Sequence, residues 1–189
     1  MYPLLRQQIE KITPLTDGEF AQVAGYFAYR KLRKHQFLVE AGNLVEREFF
    51  VLSGCLKAYY PDNGKDHILQ FALPDWWVTD YAAFFGQTKA TIYIDCLEES
   101  EVLGITLADK EKLCAELPKI EHFFRKKSNA GYVALQRRIL SLLTSTAKER
   151  YEQLLQLYPQ LFQKVPKTLI AAYLGVSRET LSRLHSAKK

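Results

Sequence analysis

The sequence predicts an α+β fold: an N-terminal antiparallel β-roll of jelly-roll type, a long helix, and a C-terminal helix-turn-helix domain. Three observations carry this. Short runs rich in Val, Ile, Tyr and Phe, broken by turn residues, fill Lys34 to Leu107. A proline-free stretch from Lys119 to about Thr144 carries one apolar stripe. Val165 to His185, VPKTLIAAYLGVSRETLSRLH, has the spacing of two short helices around a glycine turn. The implied boundaries are 1–118 for the roll, 119–146 for the long helix and 147–189 for the helix-turn-helix domain.

The last stretch is the most informative. Pro166 suits a first helical position, and Lys167 to Leu174 turns Ile170, Ala171 and Leu174 to one side. Gly175 is placed to end that helix with positive φ. Ser177 can cap a second helix whose Leu181 and Leu184 face inward. Its outer face offers Arg178, Glu179, Ser182 and Arg183. The arginines suit guanine edges and Glu179 suits cytosine, while Ser177, Thr180 and Lys167 suit phosphates. An ordinary helical hairpin with a solvated face is the plainer alternative. The Ala, Gly, Val and two Leu at the required spacing favour DNA binding over it.

Charge agrees. The net charge is +5, and from Lys164 onward six basic residues face one acid, so the whole excess lies in this unit. Lys188 and Lys189 end it and are expected to touch phosphates as flexible contacts. No apolar run of membrane-spanning length and no signal-peptide pattern occurs, so a cytoplasmic protein with no membrane partner is expected. Cys55, Cys96 and Cys114 are widely spaced without a C-x-x-C, which argues against zinc or iron–sulfur ligation; the default is three reduced, partly buried thiols.

Taken in order, residues 2 to 32 are expected to be helical, with Leu15, Phe20, Val23, Phe27 and Leu32 at roughly helical spacing. Thr16 with Glu19 forms a capping box. Ser53-Gly54 and Asp62-Asn63-Gly64 mark hairpins in the roll. Ala108 to Leu117 is a short helix that ends at Pro118. On the long helix, Phe124, Ser128, Tyr132, Leu135, Ile139 and Leu142 recur by fours and threes. That stripe either packs on its own roll or pairs with a second copy, and a small roll serving a DNA-reading unit favours the homodimer. Thr146 caps a helix from Ala147 to Tyr158.

This order of parts resembles the Crp/Fnr superfamily of bacterial transcription regulators over nearly the whole chain. The likeness rests on Gly42, on Phe50 to Gly54 with Leu56 following, on Gly64-Lys65 before Ile68-Leu69, and most specifically on LGVSRETLSR. It implies Arg178, Glu179 and Arg183 as base readers, double-stranded DNA with a near-palindromic site as ligand, and RNA polymerase as a partner. Cyclic-nucleotide binders of that family carry a Gly-Glu pair for the ribose and an Arg-Ser or Arg-Thr pair for the phosphate. Here Thr79-Asp80 and Ala90-Thr91 stand in those places. Losing the Arg removes the bidentate phosphate partner, so cyclic AMP and cyclic GMP are disfavoured and no cofactor is expected.

The effector pocket, if one exists, would comprise Trp76, Trp77, Asp80, Ala90, Thr91 and Tyr132, and would suit an uncharged or cationic molecule. Such a Trp pair is more often core or interface area with its N–H groups satisfied. The family's iron–sulfur branch needs N-terminal cysteines, and its haem branch an axial His, for which only the isolated His35 and His67 are available. Relatives continue into a wing after the recognition helix, a role left here to Lys188 and Lys189. Two other functions stay open: a DNA-binding dimer whose roll is only a scaffold, and a cupin-like barrel enzyme. The enzyme would need clustered His ligands, and no H-x-H occurs.

Overall fold

The computed structural model describes residues 1–186. Two helices open the chain, α1 (Pro3–Glu10) and α2 (Asp17–Gly25). The Thr16 hydroxyl accepts from the Glu19 N–H and Glu19 reaches back to the Thr16 N–H, which is the expected capping box. The chain then leaves the helix. Residues Ala28–Leu32 are a strand, β1, where helix was expected. Phe27 and Leu32 fit helical spacing by sequence, but this segment pairs along its length with the last strand of the roll. Tertiary pairing overrides the local pattern.

The other strands are β2 (Phe37–Val39), β3 (Arg47–Ser53), β4 (Leu56–Asp62), β5 (Lys65–Ala72), β6 (Trp77–Val78), β7 (Tyr93–Cys96) and β8 (Ser100–Thr106). They form two four-stranded sheets, ordered β1-β8-β3-β6 and β2-β7-β4-β5, with every pairing antiparallel. The hairpin signals sit where expected. Asn63 and Gly64 both have positive φ between β4 and β5, the conformation a tight two-residue turn needs. Gly54 turns β3 into β4 at φ 94 and faces Ser100 so closely that no Cβ would fit.

The helix α3 (Tyr81–Gly86) interrupts the roll between β6 and β7. After β8 come α4 (Leu107–Glu116) and the long α5 (Pro118–Thr144). Pro118 was expected only as a stop. It also starts α5, where its missing N–H costs nothing. Then follow α6 (Ala147–Leu157), the short α7 (Leu161–Lys164), α8 (Lys167–Leu174) and α9 (Arg178–Ser186). Thr146 caps α6 through a second capping box with Glu149.

Three apolar clusters hold this together. One fills the interior of the roll, with Phe49, Val51, Leu56, Ile94 and Val102 from the strands and Phe84 from α3. A second buries α1, α2, α4 and the start of α5 against Phe50, Trp77 and Leu103. A third joins the helix-turn-helix to the outer face of β4 and β5, where Tyr59, Ile68 and Phe71 meet Leu154, Ile170, Leu174 and Leu181.

Candidate nucleic-acid interface and effector site

The helix-turn-helix is built from the expected residues. Gly175 ends α8 at φ 67, and the Val176 N–H reaches back to the Ala171 carbonyl at 3.0 Å, closing the turn. Pro166 is the cap of α8, one place before the first helical position. The Ser177 hydroxyl accepts from the Thr180 N–H at 3.2 Å at the start of α9. Ile170, Ala171, Leu174 and Leu181 are buried between the helices. Arg178, Glu179, Ser182 and Arg183 are exposed, with Lys167 exposed on α8.

The face is locally ordered. Arg183 Nη2 donates to the Thr180 hydroxyl at 3.3 Å. Glu179 is held below the usual carboxylate range by its own backbone N–H at the helix start, then by Ser177, with Arg178 and Arg183 adding to this. Lys188 and Lys189 lie outside the described residues.

The proposed effector residues do not converge on one cavity. Asp80 is buried and fully engaged: Oδ1 accepts from the Ala83 N–H at 3.1 Å, and Oδ2 from the Thr91 N–H at 2.8 Å and its hydroxyl at 3.1 Å. Burial alone would raise its pKa, but the Thr91, Ala83 and Ile92 N–H groups and the Thr91 hydroxyl outweigh it and the pKa is lowered. Ala90 belongs to the roll core. Trp77 is also core. It packs on Phe50 and Phe124 and donates its indole N–H to Gln8 at 2.6 Å. Trp76 lies edge-on to Tyr158, 4.8 Å between centroids, and Tyr132 stands on α5 with 70% of its surface exposed. So the structure brings together Asp80, Ala90 and Thr91, sends Trp77 to the helical cluster and Tyr132 to the surface of α5, and sets Trp76 between the roll core and the helix-turn-helix cluster.

Beyond its first turns, α5 is bare. Tyr132, Val133, Leu135, Ile139, Leu140, Leu142 and Leu143 are all exposed on the single chain. Arg138 is the exception among its neighbours. Its Nη2 donates to the Ile68 carbonyl of β5 at 2.8 Å and to the Tyr173 carbonyl of α8 at 3.2 Å. It thus binds the long helix to both the roll and the helix-turn-helix. Arg150 likewise caps α8, donating to the Leu174 carbonyl at 2.9 Å.

Sequence reasoning missed these arginines, and it missed a buried charge cluster. Glu48 of β3 is fully buried and pairs with Lys110 of α4 at 2.8 Å and with Lys127 of α5. Lys127 also sits 4.1 Å from the Trp77 ring centroid. Burial lowers both ammonium groups, Lys110 to about 8. The one available signal was an acidic residue inside the apolar run REFFVL. The thiols are raised by burial, Cys55 to about 12. Among the described residues no group of His, Cys, Asp and Glu could hold a metal ion, and no helix is long and apolar enough to cross a membrane.

Residues 29–116 match the family model described as Cyclic nucleotide-binding domain. A comparison with curated protein sequences finds no match. Solved structures do match. FixK2 from Bradyrhizobium japonicum is 18% identical with a TM-score of 0.71, covering 85% of this chain and 83% of that one. The c-di-GMP responsive global regulator CLP from Xanthomonas campestris is 13% identical with a TM-score of 0.68, covering 91% of each. The Thermus thermophilus catabolite activator protein is 19% identical with a TM-score of 0.57, covering 95% of this chain and 85% of that one.

The roll therefore has the fold of a cyclic nucleotide-binding domain. With its long helix and C-terminal helix-turn-helix, the chain has the fold of the Crp/Fnr transcription regulators, and residues 29–116 match the Cyclic nucleotide-binding domain model.

Proposed function

We propose that the chain is a DNA-binding transcription regulator that acts as a homodimer and reads a near-palindromic site. The observation that carries this is the row Arg178, Glu179, Ser182 and Arg183, solvent-facing on a helix that Ser177 caps and Leu181 anchors. Two such helices would enter successive major grooves about 34–36 Å apart. The second copy would cover the apolar seam of α5 from Tyr132 to Leu143, and RNA polymerase would be the downstream partner. The chain works in the cytoplasm and is not an enzyme. The test is selection of bound sequences from a random duplex library by the full chain. A two-fold symmetric motif is expected; recovery of unselected sequence would overturn the reading.

Cyclic AMP and cyclic GMP are not its effectors under this proposal. Asp80 spends both oxygens on Thr91 and Ala83, and Ala90 offers no hydrogen bond to a phosphate. A second reading, in which the roll only scaffolds the dimer, is favoured by its interior, which Phe49, Val51, Phe84 and Ile94 fill. A thermal-shift screen separates the two, because a ligand of the native state raises the melting temperature by mass action.

A further inference from the structure

At one edge of the roll the two sheets part and leave a cleft of about 210 Å³. One wall is β2 with the turn after it, from Phe37 to Val45. The other is the inner face of the β1-β8-β3 sheet. Strand alternation decides what enters from that side. Arg47 shares a face of β3 with Phe49 and Val51, and Arg30 shares a face of β1 with Leu32; those three apolar partners are roll core. Two arginines therefore occupy positions that further along the same strands are hydrophobic.

Gly104 makes the room. It pairs with Ala28 on one side and Phe49 on the other, and a Cβ there would come within 2.9 Å of Arg47 Cδ and of the Phe49 ring. The stem of Arg47 thus lies in space that any other residue would close. Its Nε is buried without a hydrogen-bond partner, and neither arginine has an ion pair among the described residues. A buried donor left unpaired is costly, and an incoming acceptor would relieve it.

We propose that this cleft binds a small organic monocarboxylate, with its carboxylate on Arg47 and Arg30 and its apolar body against Phe37, Leu44 and Phe49. A guanidinium fork matches a planar carboxylate. Glu40 and Glu46 also line the cleft and oppose any anion of higher charge, which selects a monoanion over a phosphate or nucleotide. A cavity of about 150 Å³ already accepts benzene, so a benzoate-sized body fits here.

The cleft also sits where a signal could leave the roll. Arg47 faces it, and the next residue, Glu48, faces Lys127 of α5 on the opposite side of the strand. The Asn43 carbonyl on the other wall accepts from the Ala90 N–H at 2.8 Å. The cleft adjoins the Asp80–Thr91 region through this bond but is lined by neither Asp80 nor Thr91, and its binding does not depend on the chain reading DNA.

The test is calorimetry and thermal shift on the full chain with benzoate, hexanoate and inorganic phosphate at millimolar concentrations. At least one carboxylate should bind and raise the melting temperature, with phosphate weaker. Arg47→Gln should weaken that carboxylate by roughly ten-fold or more, the loss of one charged hydrogen-bonding partner. Arg30→Gln, on an exposed side chain, should weaken it too and guards against a folding defect in the first variant. Absence of binding by both carboxylates, binding that survives both substitutions, or tighter binding of phosphate would each overturn the proposal.

Discussion

The guanidinium of Arg138 lies 3.5 Å from the centroid of the Tyr173 ring, on the first helix of the helix-turn-helix. The same group donates to the backbone carbonyls of Tyr173 and Ile68. A long-helix residue therefore sets where α8 sits on β5. Arg138→Ala should cost about 1–3 kcal/mol in urea unfolding, since it strips a charged donor from two carbonyls and a ring. It should also speed amide exchange in α8 more than in the β4–β5 hairpin. Unchanged exchange in α8 would deny Arg138 this role.

Base reading is tested by Arg178→Ala and Arg183→Ala. Each should cost roughly 1–3 kcal/mol on the selected site and leave weak binding to random duplex intact. Equal losses on both DNAs would reassign the pair to phosphate contacts. Lys188→Ala and Lys189→Ala should instead weaken all sequences alike and lower the salt slope by about one per contact.

Assembly should fail with Leu135→Asp. Leu135 is exposed on the single chain and lies mid-seam, so in a dimer the new carboxylate would be buried without a partner. Sedimentation should give a dimer for the wild-type chain and a monomer for the variant. A wild-type monomer at micromolar concentration would end the dimer proposal.

Calorimetry with cyclic AMP should show no binding tighter than millimolar, and DNA affinity should be indifferent to the nucleotide. A phosphodiester placed near Ala90 would be buried without a cation, at a cost of several kcal/mol. A micromolar dissociation constant would refute this reading of positions 80 and 90.

The Asp80 carboxylate gives the pH dependence. Its folded pKa lies below its unfolded one, so its stabilisation is complete above about pH 4 and is lost as pH falls through the folded value. Asp80→Asn should therefore destabilise the chain by about 1–3 kcal/mol near neutrality, with the gap from wild type narrowing on acidification. A gap that stays constant down to acid unfolding would show that the charge is not what matters.

What was legible in the sequence was mostly local. Gly175, Ser177, Thr16 and Thr146 act through neighbours a few residues away, so spacing alone located their turns and caps. The Asn63-Gly64 hairpin was legible for the same reason. What escaped depends on partners distant in the chain. β1 is a strand because of β8. Trp77 is core because Gln8 satisfies its N–H and Phe123 and Phe124 surround it. Glu48 is tolerable only because Lys110 and Lys127 arrive from two helices. The inward Arg47 depended on the phase of β3, and a one-residue change of phase would have put it outside.

The apolar cluster shared by β4, β5 and the C-terminal helices bears on how the protein can be handled. A fragment beginning at α6 would lose the β5 surface on which Tyr173 of α8 stacks against Phe71, and the truncated roll would expose Tyr59, Ile68 and Phe71. Patches of that kind drive self-association. The linker after α5 is thus a poor place to cut, and the chain should melt in a single calorimetric transition rather than two.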